Sequence, residues 1–310
     1  MDKAAGHRPL KIGVQLPEVE RDVRWTEVLD MARAIEDLGY DSMWVGEHLL
    51  YRWPDRGPRG PWEAWSMLAA LGAVTSRVEL GPLVACLAFH NPAVLAKQAV
   101  TIDEVTDGRF VLGVGAGWNE VEFGAFGIPF DHRIDRFEEA FTILRSLLRD
   151  GRVDFEGRYH VARDCELLPR GPRPGNTPML VGSNGPRMLR ITLPYVDAWN
   201  SWFNDTGNQP DGIAPLREVV DEACREVGRD PTEIERTVAV FVRMPGGGGR
   251  IQGGTADPSI RPLAGSAAEM ADVLRGYTAT GIDHVQLVLD PITRASIEAF
   301  APVLRELDGR

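Results

Sequence analysis

The sequence predicts a single α/β domain over residues 1–310, a (β/α)8 TIM barrel, and three observations carry that expectation. The hydrophobic periodicity switches repeatedly between short alternating runs and stretches of helical spacing. Eight such strand–helix units follow one another, and no composition break between them reads as a linker to a second domain. The length of 310 residues suits this reading, because barrels of this kind routinely fill about 250 residues or more as one unit. Strand–helix alternation calls for a parallel sheet, and eight units without a second domain favour a closed ring over an open sheet.

The elements follow in order. Residues 11–16 alternate Ile12, Val14 and Leu16 with smaller or polar neighbours, which predicts strand one. Residues 24–38 place Val28, Ala32, Ile35 and Leu38 at helical spacing, and Gly39 ends the run. Strand two is expected at 42–45, followed by a Pro- and Arg-rich loop at 51–61 and a helix at 63–74. Strand three at 78–84 leads to a helix at 92–105 that opens on Pro92, and strand four spans 110–114. Residues 133–148 carry Ile134, Phe137, Phe141, Leu144 and Leu148 on one helical face. Residues 153–155 and 159–161 flank Gly157 as a small hairpin inserted before strand five. Strands five to eight are expected at 179–182, 196–200, 234–242 and 284–289, each followed by a helix. Between strand seven and its helix lies a glycine-rich loop at 244–263, read as a lid or a disordered segment.

Composition sets limits. Lys and Arg total 34 against 45 Asp and Glu, a net charge of −11, which argues against sequence-independent nucleic-acid binding. Cys86, Cys165 and Cys224 are odd in number and form no CxxC pair, so a reducing compartment, the cytoplasm, is expected. Residues 1–9 lack the apolar stretch of a secretory signal, and no apolar run reaches a bilayer-spanning length. No nucleic acid and no membrane are expected as partners.

In barrels of this class the working face is the C-terminal end of the strands. The candidates there are Gln15, Glu47, His48, Leu83 and Val84 through Cys86, Gly115 through Trp118 and Asn119 to Glu120, Gly182 and Ser183 through Gly185, Asn200 to Trp202, Arg243 and Asp290. A Schiff-base mechanism lacks its lysine, because Lys11 starts strand one, Lys97 lies within the helix at 92–105 and Lys3 is in the N-terminal tail, none at the C-terminal end of a strand. The six histidines show no HxH or HExxH spacing, so no metal is expected. His48 directly follows strand two, where an imidazole can exchange a proton with a bound group. A histidine in that place can equally be structural, and Glu47 either orients it or caps the loop. Gly182-Ser183-Asn184-Gly185 enters a helix, which makes it an anion cradle or a plain strand-to-helix turn. The run Gly113-Val114-Gly115-Ala116-Gly117 lacks the βαβ setting of a nucleotide fingerprint and reads as rim packing. Trp118, Trp202, Phe123 and Phe126 are expected around an apolar pocket.

These residues resemble the bacterial luciferase-like monooxygenase superfamily. The resemblance rests on Asn91-Pro92, Asp107-Gly108-Arg109, Gly113 to Trp118, Trp44 with Glu47-His48, Phe126-Gly127-Ile128-Pro129-Phe130, Val181-Gly182-Ser183 and Asp197-Ala198-Trp199-Asn200. It implies a barrel, often a homodimer, that uses reduced FMN or the deazaflavin coenzyme F420 on a small-molecule substrate. It also implies His48 in proton transfer and a bulge at Leu83-Val84, often with a cis peptide, behind the ring. Asn119 is implied as a cofactor contact, and Gly182-Ser183 as the phosphate site with Arg136 assisting. Gln15 and Glu47 complete the expected cofactor set. Ala116 stands where the deazaflavin-dependent sugar phosphate dehydrogenases carry an acid and where luciferase-type sites often carry an arginine. Reduced FMN would support oxygen insertion and the deazaflavin hydride transfer. Of the two, monooxygenation is placed first and hydride transfer is the alternative. A non-catalytic flavin-binding barrel is a third reading.

Overall fold

The structure, a computed structural model, describes residues 8–53, 57–248 and 260–309. Most of the predicted loop at 244–263 therefore lies outside the described residues. The ring consists of β1 (Lys11–Gln15), β2 (Ser42–Val45), β3 (Glu79–Pro82 continued by Ala85–Cys86), β4 (Leu112–Gly115) and β5 (Met179–Val181). It is completed by β6 (Ala198–Ser201), β7 (Glu235–Arg243) and β8 (His284–Asp290). The helices are α1 (Trp25–Asp37), α2 (Ala64–Val74), α3 (Pro92–Val105), α4 (Glu120–Ala125), α5 (Arg133–Asp150), α6 (Pro186–Thr192), α7 (Ile213–Glu226), α8 (Ala267–Ala279) and α9 (Arg294–Leu307).

Every pairing in the ring is parallel, and β1 lies between β2 and β8. Its one discontinuity is β3. The segment Glu79–Pro82 pairs with β2, whereas Ala85–Cys86 pairs with β4, and a bridge between Leu80 and Phe110 closes the seam. The strand predicted as one run at 78–84 is thus split at Leu83–Val84.

Strand residues alternate between two cores, as a period of two requires. Ile12, Val14, Met43, Leu112 and Val181 belong to the large core shared with the helices. Trp44, Leu83, Leu180 and Ala198 form a separate cluster inside the ring. Below it the interior is polar: Ser42 Oγ lies 2.7 Å from His284 Nε2 and accepts the indole N–H of Trp44 at 2.8 Å. Lys11 pairs there with Glu79 at 3.2 Å. On the same lower face Arg8 joins distant parts of the chain, donating to Asp41 (3.0 Å), Asp308 (3.3 Å) and the carbonyl of Gly39.

Two short hairpins interrupt the alternation. The expected loop at 51–61 contains antiparallel strands at Tyr51–Trp53 and Gly57–Arg59. Tyr51 and Trp53 stack at 5.3 Å and bury themselves with Val19, which gives this segment a small core. The second hairpin pairs Arg152–Glu156 with Val161–Glu166: its first strand covers the expected 153–155, whereas its second begins at 161, where the expected 159–161 ended. Glu139 anchors its turn by accepting the backbone N–H groups of Arg158, Tyr159 and His160 at 2.7–2.9 Å. The apolar helix α2 turns Trp65, Leu68 and Leu71 onto its own core. No helix among the described residues is long and apolar enough to cross a membrane.

Candidate active site

The C-terminal mouth of the ring opens into a cavity of about 750 Å³. His48 is on its wall, three residues beyond the end of β2. Its Nδ1 lies 2.9 Å from Glu122 Oε1. An acceptor-only carboxylate at that distance makes Nδ1 the donor, so Nε2 is the ring nitrogen left for exchange with a ligand. Glu122 is only 1% exposed, and its other oxygen accepts the N–H groups of Leu49 (2.7 Å) and Leu50 (3.3 Å). Asn119, at the start of α4, donates back to the carbonyl of Leu50 at 2.9 Å. Helix α4 and the loop of His48 are therefore tied in both directions. The chain enters α4 through Gly117 at φ +76°, where a Cβ would sit 2.5 Å from Cys86 Sγ. Tyr51 and Trp118 flank the imidazole at ring distances of 4.6 and 5.5 Å.

Glu47 has different work. Its carboxylate accepts from Trp65 Nε1, pairs with His90 Nε2 and accepts the backbone N–H of Cys86, each at 2.7 Å. It fastens the end of β2 to α2 and to the second segment of β3, while Glu122 orients the imidazole. Cys86 also borders the cavity, and burial, with the nearby Glu47 carboxylate, pushes its thiol pKa up. Burial and the carboxylate thus disfavour its thiolate, the nucleophilic form.

Leu83 and Val84 are joined by a cis peptide bond, as the resemblance implies, and both line the cavity. The side chain of Val84 lies against glycines: a Cβ on Gly115 would come within 2.8 Å of its Cγ2, and one on Gly182 within 3.0 Å of its Cγ1. These two glycines, one at the end of β4 and one just after β5, leave room for Val84, and Leu83 and Val84 give the cavity an apolar wall.

Gly182, Ser183 and Asn184 form the adjoining wall. Ser183 Oγ accepts the N–H of Gly185 at 3.3 Å, and its carbonyl accepts the indole N–H of Trp199 at 3.0 Å. Asn184 donates to Asp205 at 2.8 Å, and its own carbonyl oxygen is buried without a protein partner. Trp202, Phe203, Phe241 and Ile260 make the opposite, apolar wall, and Arg133 and Arg243 lie at the edges.

Three predicted residues lie just outside the cavity. Gln15 is fully buried and donates to Glu18 Oε1 at 2.7 Å, so Glu18 borders the space in its stead. The amide of Asn119 is engaged with Leu50 as described. Arg136 bonds to Asp131 and stacks over Tyr159 at 4.4 Å; Arg133, one turn earlier, reaches the wall instead. Of the expected aromatic residues, Trp118 and Trp202 line the cavity. Phe123 is buried between Phe89 and Phe130, and Phe126 is 56% exposed. Sequence reading passed over Glu122 and Glu18. Glu122 meets His48 from 74 residues away, and its only local signal was an acidic residue soon after strand four.

An apolar wall at Leu83 and Val84, a carboxylate-held imidazole and an unpartnered buried amide oxygen fit a planar heterocycle with polar edges. Together with the barrel they suit an enzyme that holds such a group at the mouth of the ring. The model of the luciferase-like monooxygenase family matches residues 10–244, and the chain belongs to that family. It is 34% identical over 231 residues to the F420-dependent glucose-6-phosphate dehydrogenase of Intrasporangium calvum, covering 71% of this chain and 67% of the relative. It is 35% identical over 175 residues to the pyrimidine monooxygenase RutA of Methylobacterium radiotolerans, covering 55% of this chain and 45% of the relative. The fold is also that of an F420-dependent secondary alcohol dehydrogenase solved with an F420–acetone adduct. That match has a TM-score of 0.80 at 22% identity and covers 96% of this chain and 99% of the other.

Proposed function

We propose that this chain is a luciferase-like oxidoreductase that works with coenzyme F420 and transfers hydride to or from a small organic substrate. The observation that carries the reading is the imidazole of His48, fixed by Glu122 at 2.9 Å on the wall of a cavity bordered by Leu83 and Val84. Bound there, a reduced deazaflavin supplies hydride, whereas reduced FMN supplies electrons to oxygen. Leu83, Val84 and Ala85 would support the ring plane, and Ser183 and Asn184 its polar tail. His48 Nε2 would give or take the proton on the substrate oxygen, and Glu122 would stabilise the imidazolium that results. Trp118 and Trp202 would keep water from the reacting atoms.

F420 is placed first because the F420-dependent relative matches 71% of the chain and the monooxygenase relative 55%. The second reading, oxygen insertion with reduced FMN, rests on that monooxygenase relative. Glucose 6-phosphate is not the proposed substrate. Ala116 stands in place of the acid expected of sugar phosphate dehydrogenases, and no lysine lines the cavity among the described residues.

Titration of the purified protein with F420 and with FMN, followed by fluorescence, tests the order. Tighter F420 binding and turnover that does not depend on oxygen are expected. Tighter FMN binding with oxygen-dependent product would move the assignment to the second reading. In His48→Ala, turnover should fall by about 10²–10⁴-fold while cofactor affinity is retained; near-normal turnover would reject the proton-transfer role.

A further inference from the structure

We propose that a second, smaller chamber beside the main cavity receives the uncharged apolar end of the substrate, and that Glu18 is the partition between the two. The inference rests on the oxidoreductase reading for the reacting end. The chamber has a volume of about 390 Å³ and lies between the loop after β1, the end of β2, helices α1 and α2, and the chain at 60–62. That volume falls within the range of small-molecule sites, roughly 300–1,000 Å³. Its walls include Leu16, Val23, Val28, Val45 and Met67.

Trp62 also borders the chamber, with its indole N–H donated to the carbonyl of Val23 at 2.7 Å. The residue is 61% exposed, so a large ring is held partly in water at the edge of an apolar hollow. The neighbouring hairpin is pinned to the same loop, because Arg59 donates to the carbonyl of Glu20 at 2.7 Å. Of the charged residues that border it, Arg21 is engaged by Glu27 and by the carbonyl of Ile292, and Asp22 and Arg24 are at exposed positions. The buried part of the lining, Leu16, Val23, Val28 and Val45, favours an alkyl chain or small ring over an ionic group.

Glu18 borders both spaces. Its carboxylate accepts from Gln15 at 2.7 Å and fills the place a side chain at position 46 would take, since a Cβ on Gly46 would lie 1.5 Å from Oε1. Gly46 is two residues before His48. The partition therefore stands next to the segment that carries the imidazole. A substrate whose reacting carbon is at His48 and whose chain passes Glu18 would exchange water for aliphatic walls. An anionic end would meet the Glu18 carboxylate, which selects against it.

The test uses straight-chain alcohols, aldehydes and ketones of increasing length, with wild type and Met67→Trp. Crystals of the wild type soaked in 6-bromohexan-1-ol locate the chain independently of activity. Each methylene that enters the chamber should raise kcat/KM by about fourfold. In Met67→Trp that rise should flatten, with the shortest substrate unaffected, and the bromine should lie among Val28, Val45 and Met67. Bromine found only against Phe203 and Phe241, or a length series indifferent to Met67→Trp, would overturn the chamber. Bromine in the chamber with no probe turned over would uphold the subsite and count against the oxidoreductase reading for these substrates.

Discussion

Glu122 gives one oxygen to the imidazole and the other to two backbone N–H groups. Replacing it with Gln keeps the shape but brings an amide that can present N–H where Nδ1 needs an acceptor. Glu122→Gln should therefore lower kcat by about tenfold or more, less than the loss at His48, with little change in cofactor affinity. An unchanged kcat would remove Glu122 from the proton path. His48 was legible in the sequence because a strand end fixed its place. Glu122 was not, because its partner comes from another rim loop and no periodicity connects them. Glu47 was noticed, but its engagement by Trp65, His90 and Cys86 depends on three further elements that only the folded chain brings together.

Among the elements, the eight strand–helix units were legible from periodicity alone, since each strand buries one side on helices and the other inside the ring. The split of β3 was not, because residues 78–84 look like a continuous run while their partners change from β2 to β4. Helix α4 was missed for its brevity, six residues that carry little amphipathic signal. The packing of Val84 against Gly115 gives this scale its prediction. Gly115→Ala places a methyl 2.8 Å from Val84 Cγ2, so it should destabilise the protein by about 1–3 kcal/mol and weaken cofactor binding. Adding Val84→Ala should restore part of both, and the coupling is measurable in a double-mutant cycle from denaturation midpoints and cofactor affinities. Additive losses would show that the two side chains do not share the space.

For the whole molecule, the polar lower end of the ring sets the response to acid. His284 is 3% exposed, and burial, with Lys11 nearby, lowers its pKa from 6.5 to about 3. The groups facing it are Ser42 at Nε2 and Glu235, 3.7 Å from Nδ1. The unfolded chain takes up a proton near pH 6.5 and the folded chain does not, so stability is complete above that pH and declines as pH falls toward 3. At pH 5 the loss should be roughly 2 kcal/mol, read as a fall in Tm. His284→Asn should flatten the slope between pH 7 and 5, and an unchanged slope would assign the acid sensitivity elsewhere. Arg8 lies on this same lower face and bonds to both Asp41 and Asp308, although 300 residues separate it from the latter. The first and last described turns of the chain thus meet on the side opposite the cavity. A short linker from residue 309 to residue 8 could join them, and a permuted gene for residues 8–309, opened in an exposed helix connection, should still produce the barrel, because the order of the units around the ring is unchanged.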